Sequence, residues 1–137
     1  MEIITQRLKL MGKVPLRFGI YHNDLNIGYI RAYLEDSFYD YNCEYSIKPE
    51  FEGNGFATEA LIAFNKYVRE ECKRNLCMFI HEDNDKSARV ATKAGFVPAG
   101  KVMLGNGPHI IYRDSRERVI DKELLEEIFK PIKIVCR

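Results

Sequence analysis

The sequence predicts a mixed α/β fold of the α+β kind, and three observations carry the prediction. Apolar residues alternate with others over much of the first third of the chain, the period becomes helical at Phe56, and a second helix ends on a well-marked glycine stop before further strand-like runs. With 137 residues, 46% of them hydrophobic, the chain can bury one core, so a single domain is the default.

Residues 3–10 read as a first strand. Val14, Leu16, Phe18 and Ile20 then alternate with Pro15, Arg17, Gly19 and Tyr21, Asn23 and Asp24 break the pattern, and 27–34 resumes as an extended apolar run, which together make a hairpin. A further strand at 43–48 is closed by Pro49. From Phe56 onward, Ala57, Ala60, Leu61, Phe64, Tyr67 and Val68 recur at helical spacing, with Glu59, Asn65, Lys66, Arg69 and Glu70 on the other side. This is an amphipathic helix of about four turns. A short strand at 76–80 and a polar loop at 81–86 lead to a second helix through Ala88, Val90, Ala91 and Ala94. Gly95 can adopt the left-handed cap, Phe96 supplies its apolar contact, and Pro98 prevents continuation. Two last strands, 97–104 and 109–113, join through Gly105, Asn106, Gly107 and Pro108. Beyond them lie a charged stretch at 115–118, a short helix at 121–130 stopped by Pro131, and a strand-like end at 132–135.

Charge excludes some functions. Lys and Arg number 21 against 20 for Asp and Glu, so no basic field exists of the kind that neutralises a phosphate backbone, and nucleic acid is not an expected partner. The first ten residues lack a basic-then-apolar signal pattern and no run is long enough to span a bilayer, so we expect no membrane partner and a cytoplasmic location. Cys43, Cys72, Cys77 and Cys136 form no Cys-x-x-Cys pair and the three His residues are scattered away from them. Reduced thiols are therefore expected, with neither disulfides nor a metal site.

The stretch 49–60, PEFEGNGFATEA, sets two glycines between a strand and a strong helix. The first N–H groups of a helix lack internal partners and the helix dipole favours negative charge there, while Gly53 and Gly55 let the backbone curl around one anion. Gly55 is not followed by the lysine of a Walker loop, and position 58 is Thr where a Rossmann fingerprint has its third glycine, which disfavours ATP and NAD. By itself the loop reads either as an anion cradle or as a tight turn without a ligand.

Residues Glu52 to Ala57, EGNGFA, resemble the [QR]-x-x-G-x-[GA] pyrophosphate loop of the GNAT superfamily of acetyl-CoA-dependent acyltransferases. Thr58, Glu59 and Ala60 resemble the ATEA continuation of the branch that includes ribosomal-protein N-terminal acetyltransferases. Downstream, Asn84 to Ser87 with Val90, Lys93, Gly95 and Phe96 resembles that branch's N-x-x-S…K-x-G-F motif in the same order. The resemblance spans roughly residues 1–113, with 114–137 as a C-terminal extension of the same domain. It implies a mostly antiparallel sheet with flanking helices, and transfer of an acetyl group from acetyl-CoA, the acyl-donor substrate, to a primary amine.

The family's two central strands splay apart before the loop to admit the pantetheine arm. By that resemblance the splayed strand is 43–48 and Ile47 presents the backbone group that polarises the thioester carbonyl. The amides of Glu52, Gly53, Asn54, Gly55, Phe56 and Ala57, joined by the Thr58 hydroxyl, cradle the pyrophosphate; Asn84 and Ser87 flank the pantetheine and thiol; and Lys93 reaches the ribose phosphate, unless it merely complements a helix C-terminus.

Departures from the family pattern matter too. Glu52 stands where Gln or Arg is usual and brings a negative charge toward a polyphosphate. The Tyr that protonates the leaving thiolate in many relatives falls on Ala91, which leaves Ser87 as the candidate for that task or as a simple helix N-cap. The two helices that usually separate the first strands cannot fit in Met11 to Lys13, so the acceptor side is open or completed by another surface, such as a second subunit in a homodimer. The extension 121–136 could supply that surface or pack on its own sheet.

Direct attack needs a neutral amine. At pH 7 deprotonation costs about 1 kcal/mol for an α-amine and about 4.6 kcal/mol for a lysine side chain. Candidate bases are Glu44, His81 and Glu82, with Asp40 and Tyr41 further out; Glu44 has opposite parity to Ile47 and reads equally as a solvent-facing strand residue. Absence of a compelling base favours an N-terminal α-amine or another low-pKa amine as acceptor. The aromatic cluster Phe38, Tyr39, Tyr41 and Tyr45 reads as acceptor or pantetheine contacts, or as strand and core formers. The competing reading is a non-catalytic acyl-CoA-binding module that has lost its general acid.

Overall fold

A computed structural model describes residues 2–14, 16–34 and 40–116. The strands are β1 (Glu2–Ile4), β2 (Lys9–Val14), β3 (Arg17–His22), β4 (Leu25–Leu34), β5 (Tyr41–Ile47), β6 (Leu76–His81), β7 (Phe96–Leu104) and β8 (Gly107–Asp114); the helices are α1 (Phe56–Glu70) and α2 (Asp85–Lys93), with a 3-10 turn at Pro49–Phe51. One sheet holds them all in the order β1-β2-β3-β4-β5-β6-β8-β7. Every neighbouring pair is antiparallel except β5 and β6, whose parallel pairing requires the crossover that α1 provides.

The β3–β4 hairpin turns on Asn23 and Asp24 at φ 48° and 64°, the two left-handed residues of a primed turn whose twist matches the flanking strands. α1 buries Phe56, Ala60, Leu61, Phe64 and Val68 against the sheet, and Phe18 meets Phe64 edge-on with ring centroids 5.8 Å apart. Gly95, at φ 95°, ends α2 in the left-handed region, as its place before Phe96 predicts. Along β4 the residues facing α1, Ile30 and Ala32, are buried, while Tyr29 and Tyr33 on the other face are about 40% exposed. No described helix precedes α1, but Met11 to Lys13, expected as the link between the first two strands, lie inside β2, and Val14, expected to open the next strand, ends it.

The structure departs from the sequence reading at three further places. The strand expected over 3–10 is two strands folded on each other, with Ile3 opposite Leu10, because Thr5 donates its N–H to Leu8 O (2.8 Å) while its Oγ1 accepts from Leu8 N (2.8 Å). A Thr-Gln-Arg-Leu turn carries no glycine or proline and is hidden inside an alternating pattern. The final turn shrinks to Gly105 and Asn106, since Gly107 and Pro108 already belong to β8. Asn65, assigned to the polar side of α1, is buried and donates to Asp114 Oδ2 at 2.6 Å. The helix expected at 121–130, the strand-like end and Cys136 lie outside the described residues, as do Phe38 and Tyr39.

One polar tie fastens the first turn of the sheet to the first turn of α1. Glu59 accepts hydrogen bonds from Thr5 Oγ1, from Arg7 N (3.1 Å) and from Arg7 Nε (2.8 Å). Partial burial pushes the Glu59 carboxyl up, but the Thr5 and Arg7 hydrogen bonds and the Arg7 charge outweigh it and hold the carboxyl below its ordinary value. Asp114, held by Arg116 and Asn65 against its own burial, is lowered in the same way. A carboxyl lowered on folding contributes stability that is present above its unfolded pKa and is lost as pH falls through the folded value. The expected result is a Tm that drops on acidification below about pH 4.3. Glu59→Gln should cost about 1–2 kcal/mol at neutral pH and flatten part of that acid slope. Equal slopes in the two proteins, measured by thermal unfolding from pH 3 to 7, would contradict the assignment.

Candidate active site

β5 and β6 pair only at Tyr41↔Leu76 and Asn42↔Cys77, after which they diverge. The direction of the β5 backbone groups follows from two bonds of opposite parity. Tyr41 N donates to Asn75 O on the β6 side (2.9 Å), whereas Lys48 N donates to Ile27 O on the β4 side (2.8 Å). Strand alternation then turns the N–H and C=O of Cys43, Tyr45 and Ile47 into the gap where β6 has left. A cleft of about 480 Å³ continues from that gap to the N-terminus of α1, walled on one side by β5 and on the other by α2.

The loop at its far end has a backbone that can receive an anion. Gly53 and Gly55 lie at φ 80° and 78°, where other residues are strained, and Gly55 is the N-cap of α1. No side chain caps that helix, and Glu59 N is the first amide to reach back to the cap, at 3.0 Å from Gly55 O. The amides of Phe56, Ala57 and Thr58 therefore point out of the helix end into the cleft. Arg7 braces the loop from behind: Nη2 donates to Asn54 O (3.0 Å) and the guanidinium stacks 4.8 Å from the centroid of Phe56.

On the opposite wall Asn84 is the N-cap of α2, accepting Ser87 N at 3.1 Å, so the capping task that the sequence offered to Ser87 belongs to Asn84. Ser87 lines the cleft with Lys86, Arg89, Val90 and Lys93. Positions 86, 89 and 93 form one helical face, which turns three cations toward the anion end. Glu52 forms an ion pair with Lys86 across the cleft mouth, so its charge is neutralised locally rather than left facing the loop.

Of the residues singled out in the sequence, Ile47, Glu52, Gly53, Gly55, Phe56, Ala57, Thr58, Asn84, Ser87 and Lys93 line this one cleft. Asn54 is turned away and ties its amide to Phe51 O (3.1 Å) and Glu52 O (3.3 Å). Glu44 projects from the other face of β5, where Arg31 (2.6 Å) and Tyr33 (3.2 Å) hold it. The other possible bases are also engaged. His81 Nδ1 accepts Asp83 N (3.1 Å), which leaves the neutral ring's proton on Nε2; Glu82 pairs with Lys101 (3.0 Å); Asp40 pairs with Arg113; and Arg74 hydrogen-bonds Tyr41. Burial pushes the Cys43 thiol far up, so it stays protonated.

Two features of the site escaped the sequence reading. Lys86 and Arg89 are visible only once α2 is given a face, by the spacing 86, 89 and 93. The bracing of the loop by Arg7 and Glu59 depends on the unforeseen turn at residues 5–8. Tyr45, offered by the sequence as an acceptor or pantetheine contact or as a core former, lines the cleft with Ser87, while Tyr41 is core.

Comparison with known proteins agrees with this geometry. Among solved structures, a GNAT-family acetyltransferase from Bacillus anthracis superposes with a TM-score of 0.69 at 19% identity, covering 82% of this chain and 96% of that one. A protein from Vibrio cholerae assigned as a ribosomal-protein-serine acetyltransferase gives 0.69 at 14%, covering 82% and 96%. An aminoglycoside acetyltransferase in complex with coenzyme A and kanamycin gives 0.64 at 17%, covering 81% and 69%. At these identities the likeness establishes the fold. No curated protein sequence matches the chain. The model of the Acetyltransferase (GNAT) domain matches residues 4–97, from the first strand through the splayed pair, the glycine loop and the second helix. The chain therefore belongs to the GNAT acetyltransferase family, whose reaction is acetyl-CoA-dependent acetyl transfer to amines.

Proposed function

We propose that the protein transfers the acetyl group of acetyl-CoA, by direct attack, to an N-terminal α-amine of a protein or peptide or to a small-molecule amine of similarly low pKa. The observation that carries the reading is the strand ladder that stops after Asn42, because it leaves backbone groups of Cys43, Tyr45 and Ile47 facing a cleft that ends on unpartnered helix amides. In this reading the pantetheine arm pairs with that backbone and Ile47 polarises the thioester carbonyl. The diphosphate lies on the amides of residues 53–58, and Arg89 and Lys93 meet the remaining phosphate charge. Ser87 lies beside the sulfur.

The acceptor class follows from the bases. Glu44, His81, Glu82, Asp40 and Tyr41 are each already held by a neighbour, so none is poised to take a proton from a high-pKa amine. An α-amine needs only about 1 kcal/mol to shed its proton at pH 7, and a water relay suffices. The sheet face carrying Tyr29, Arg31 and Tyr33, which no described helix covers, is the side from which an extended peptide or a small amine reaches the gap.

A second reading, a non-catalytic acyl-CoA-binding module, is kept by Ala91, a buried residue with no proton to give. One experiment separates the two. Calorimetry with CoA is expected to saturate, and thiol release from acetyl-CoA should follow with N-terminal peptides ahead of lysine side chains. Saturation without turnover for every amine supports the module; no heat at millimolar CoA rejects both.

A further inference from the structure

We propose that Tyr45 is the proton donor to the departing sulfur, with Ser87 beside it to orient the phenol and return its proton. The inference rests on the cleft being the acetyl-CoA site and assigns a task that Ala91 cannot perform.

The strand geometry locates the reacting end. Measured back from the glycine loop, β5 passes Ile47, then Tyr45, then Cys43 before the strands meet at Asn42 and Cys77. A molecule anchored by its phosphates at the loop, with its thioester carbonyl on Ile47, holds its sulfur within reach of the Tyr45 phenol, whose Cα is about 7 Å farther along the strand. Tyr45 shares the parity of the buried Cys43 and Ile47, so its side chain is on the helix side, lines the cleft and packs partly against the core. Ser87, in the first turn of α2, lines the same cleft and is near enough for its hydroxyl to act on the phenol.

Elimination points the same way. Four described residues lining the cleft carry hydroxyls: Tyr45, Ser46, Thr58 and Ser87. Thr58 is in the first turn of α1, at the phosphate end, and Ser46 has the opposite parity, on the exposed side of β5. That leaves the Tyr45–Ser87 pair, of which the phenol is the stronger acid. Burial pushes the phenol up while Ser87 draws it partly back, so it remains protonated and able to donate through the neutral range.

The step balances. The neutral amine forms the N–C bond and the carbonyl electrons move to oxygen. When they return, the C–S bond breaks and the pair leaves on sulfur. Sulfur takes the phenolic proton of Tyr45 and departs as the free thiol. The phenolate recovers a proton, through the Ser87 hydroxyl and water, from the nitrogen that has just been acylated.

Tyr45→Phe keeps the ring and its packing and removes only the hydroxyl. We expect its kcat with acetyl-CoA to fall about 100-fold, and that of Ser87→Ala about 10-fold, while the calorimetric Kd for CoA stays within about threefold in both. With 4-nitrothiophenyl acetate, whose thiolate leaves without protonation, kcat/KM should be nearly the same in Tyr45→Phe and the wild type. An unchanged kcat with acetyl-CoA overturns the proposal. So does a CoA Kd that rises in step with the loss, or an equal loss with the two donors. Wild-type protein that binds no CoA instead rejects the cleft assignment itself, a result distinct from these.

Discussion

Gly53→Glu is expected to lose on the order of 1,000-fold in CoA affinity, about 4 kcal/mol, with its fold intact. Gly53 sits at φ 80° in the loop that lines the anion end of the cleft, and a Cβ placed there would meet nothing within 4 Å. The substitution is thus tolerated sterically and costs only the left-handed strain of a non-glycine residue, about 1–2 kcal/mol. Its carboxylate, however, enters the space where two or three amide bonds to phosphate would form, each charge-assisted bond being worth about 1.5–3 kcal/mol. Gly53→Ala is the control, with the same backbone strain and no charge, and should lose less than about 10-fold. Gly55→Glu should fall between them, because a Cβ at Gly55 would lie 3.5 Å from Arg7 Nη2 and the new carboxylate has a cation to turn to. Calorimetry with CoA on the three variants checks the order. Equal affinity for Gly53→Ala and Gly53→Glu would remove the loop from the phosphate site.

The loop could be anticipated because its chemistry is local: two glycines, a helix start and no capping side chain are all adjacent in the sequence. The same holds for the Asn23-Asp24 turn and the Gly95 stop, where a left-handed residue type announces itself. What escaped is what tertiary structure decides. The turn at residues 5–8 uses a Thr hydroxyl in place of glycine, and Asn65 is buried because Asp114, 49 residues away, accepts its amide proton. The partners Tyr45–Ser87 and Glu52–Lys86 join β5 and its loop to α2 across the cleft, and the spacing of one segment carries no information about the other. Glu44 was legible as a strand residue of opposite parity to Ile47. Its engagement by Arg31 required the β4–β5 register, in which the two residues stand opposite each other.

That register also makes Gly28 the backbone position on which the site depends. Gly28 pairs with Ile47, and a Cβ there would lie 2.0 Å from Ser46 O and 3.1 Å from Ile47 Cα. Both are backbone atoms of β5, so relief requires the strand itself to move, and the segment that would move presents Tyr45 and Ile47 to the cleft. Gly28→Ala should therefore destabilise by about 3 kcal/mol, lowering Tm by roughly 10 °C, and should weaken CoA binding in the protein that remains folded. Gly100→Ala is the matched control within the same sheet. Its Cβ would meet only Ile111 Cδ1 at 3.6 Å, an ordinary contact, and the loss of backbone freedom in the unfolded chain makes it neutral to slightly stabilising, within about 0.5 kcal/mol. A Gly28→Ala protein that melts with the wild type would mean that β4 and β5 stand further apart than their register requires. A protein that melts early yet binds CoA normally would mean that β5 holds the cleft without help from β4. Joint loss of stability and affinity ties the close approach at one glycine to the aim of the strand that carries the chemistry.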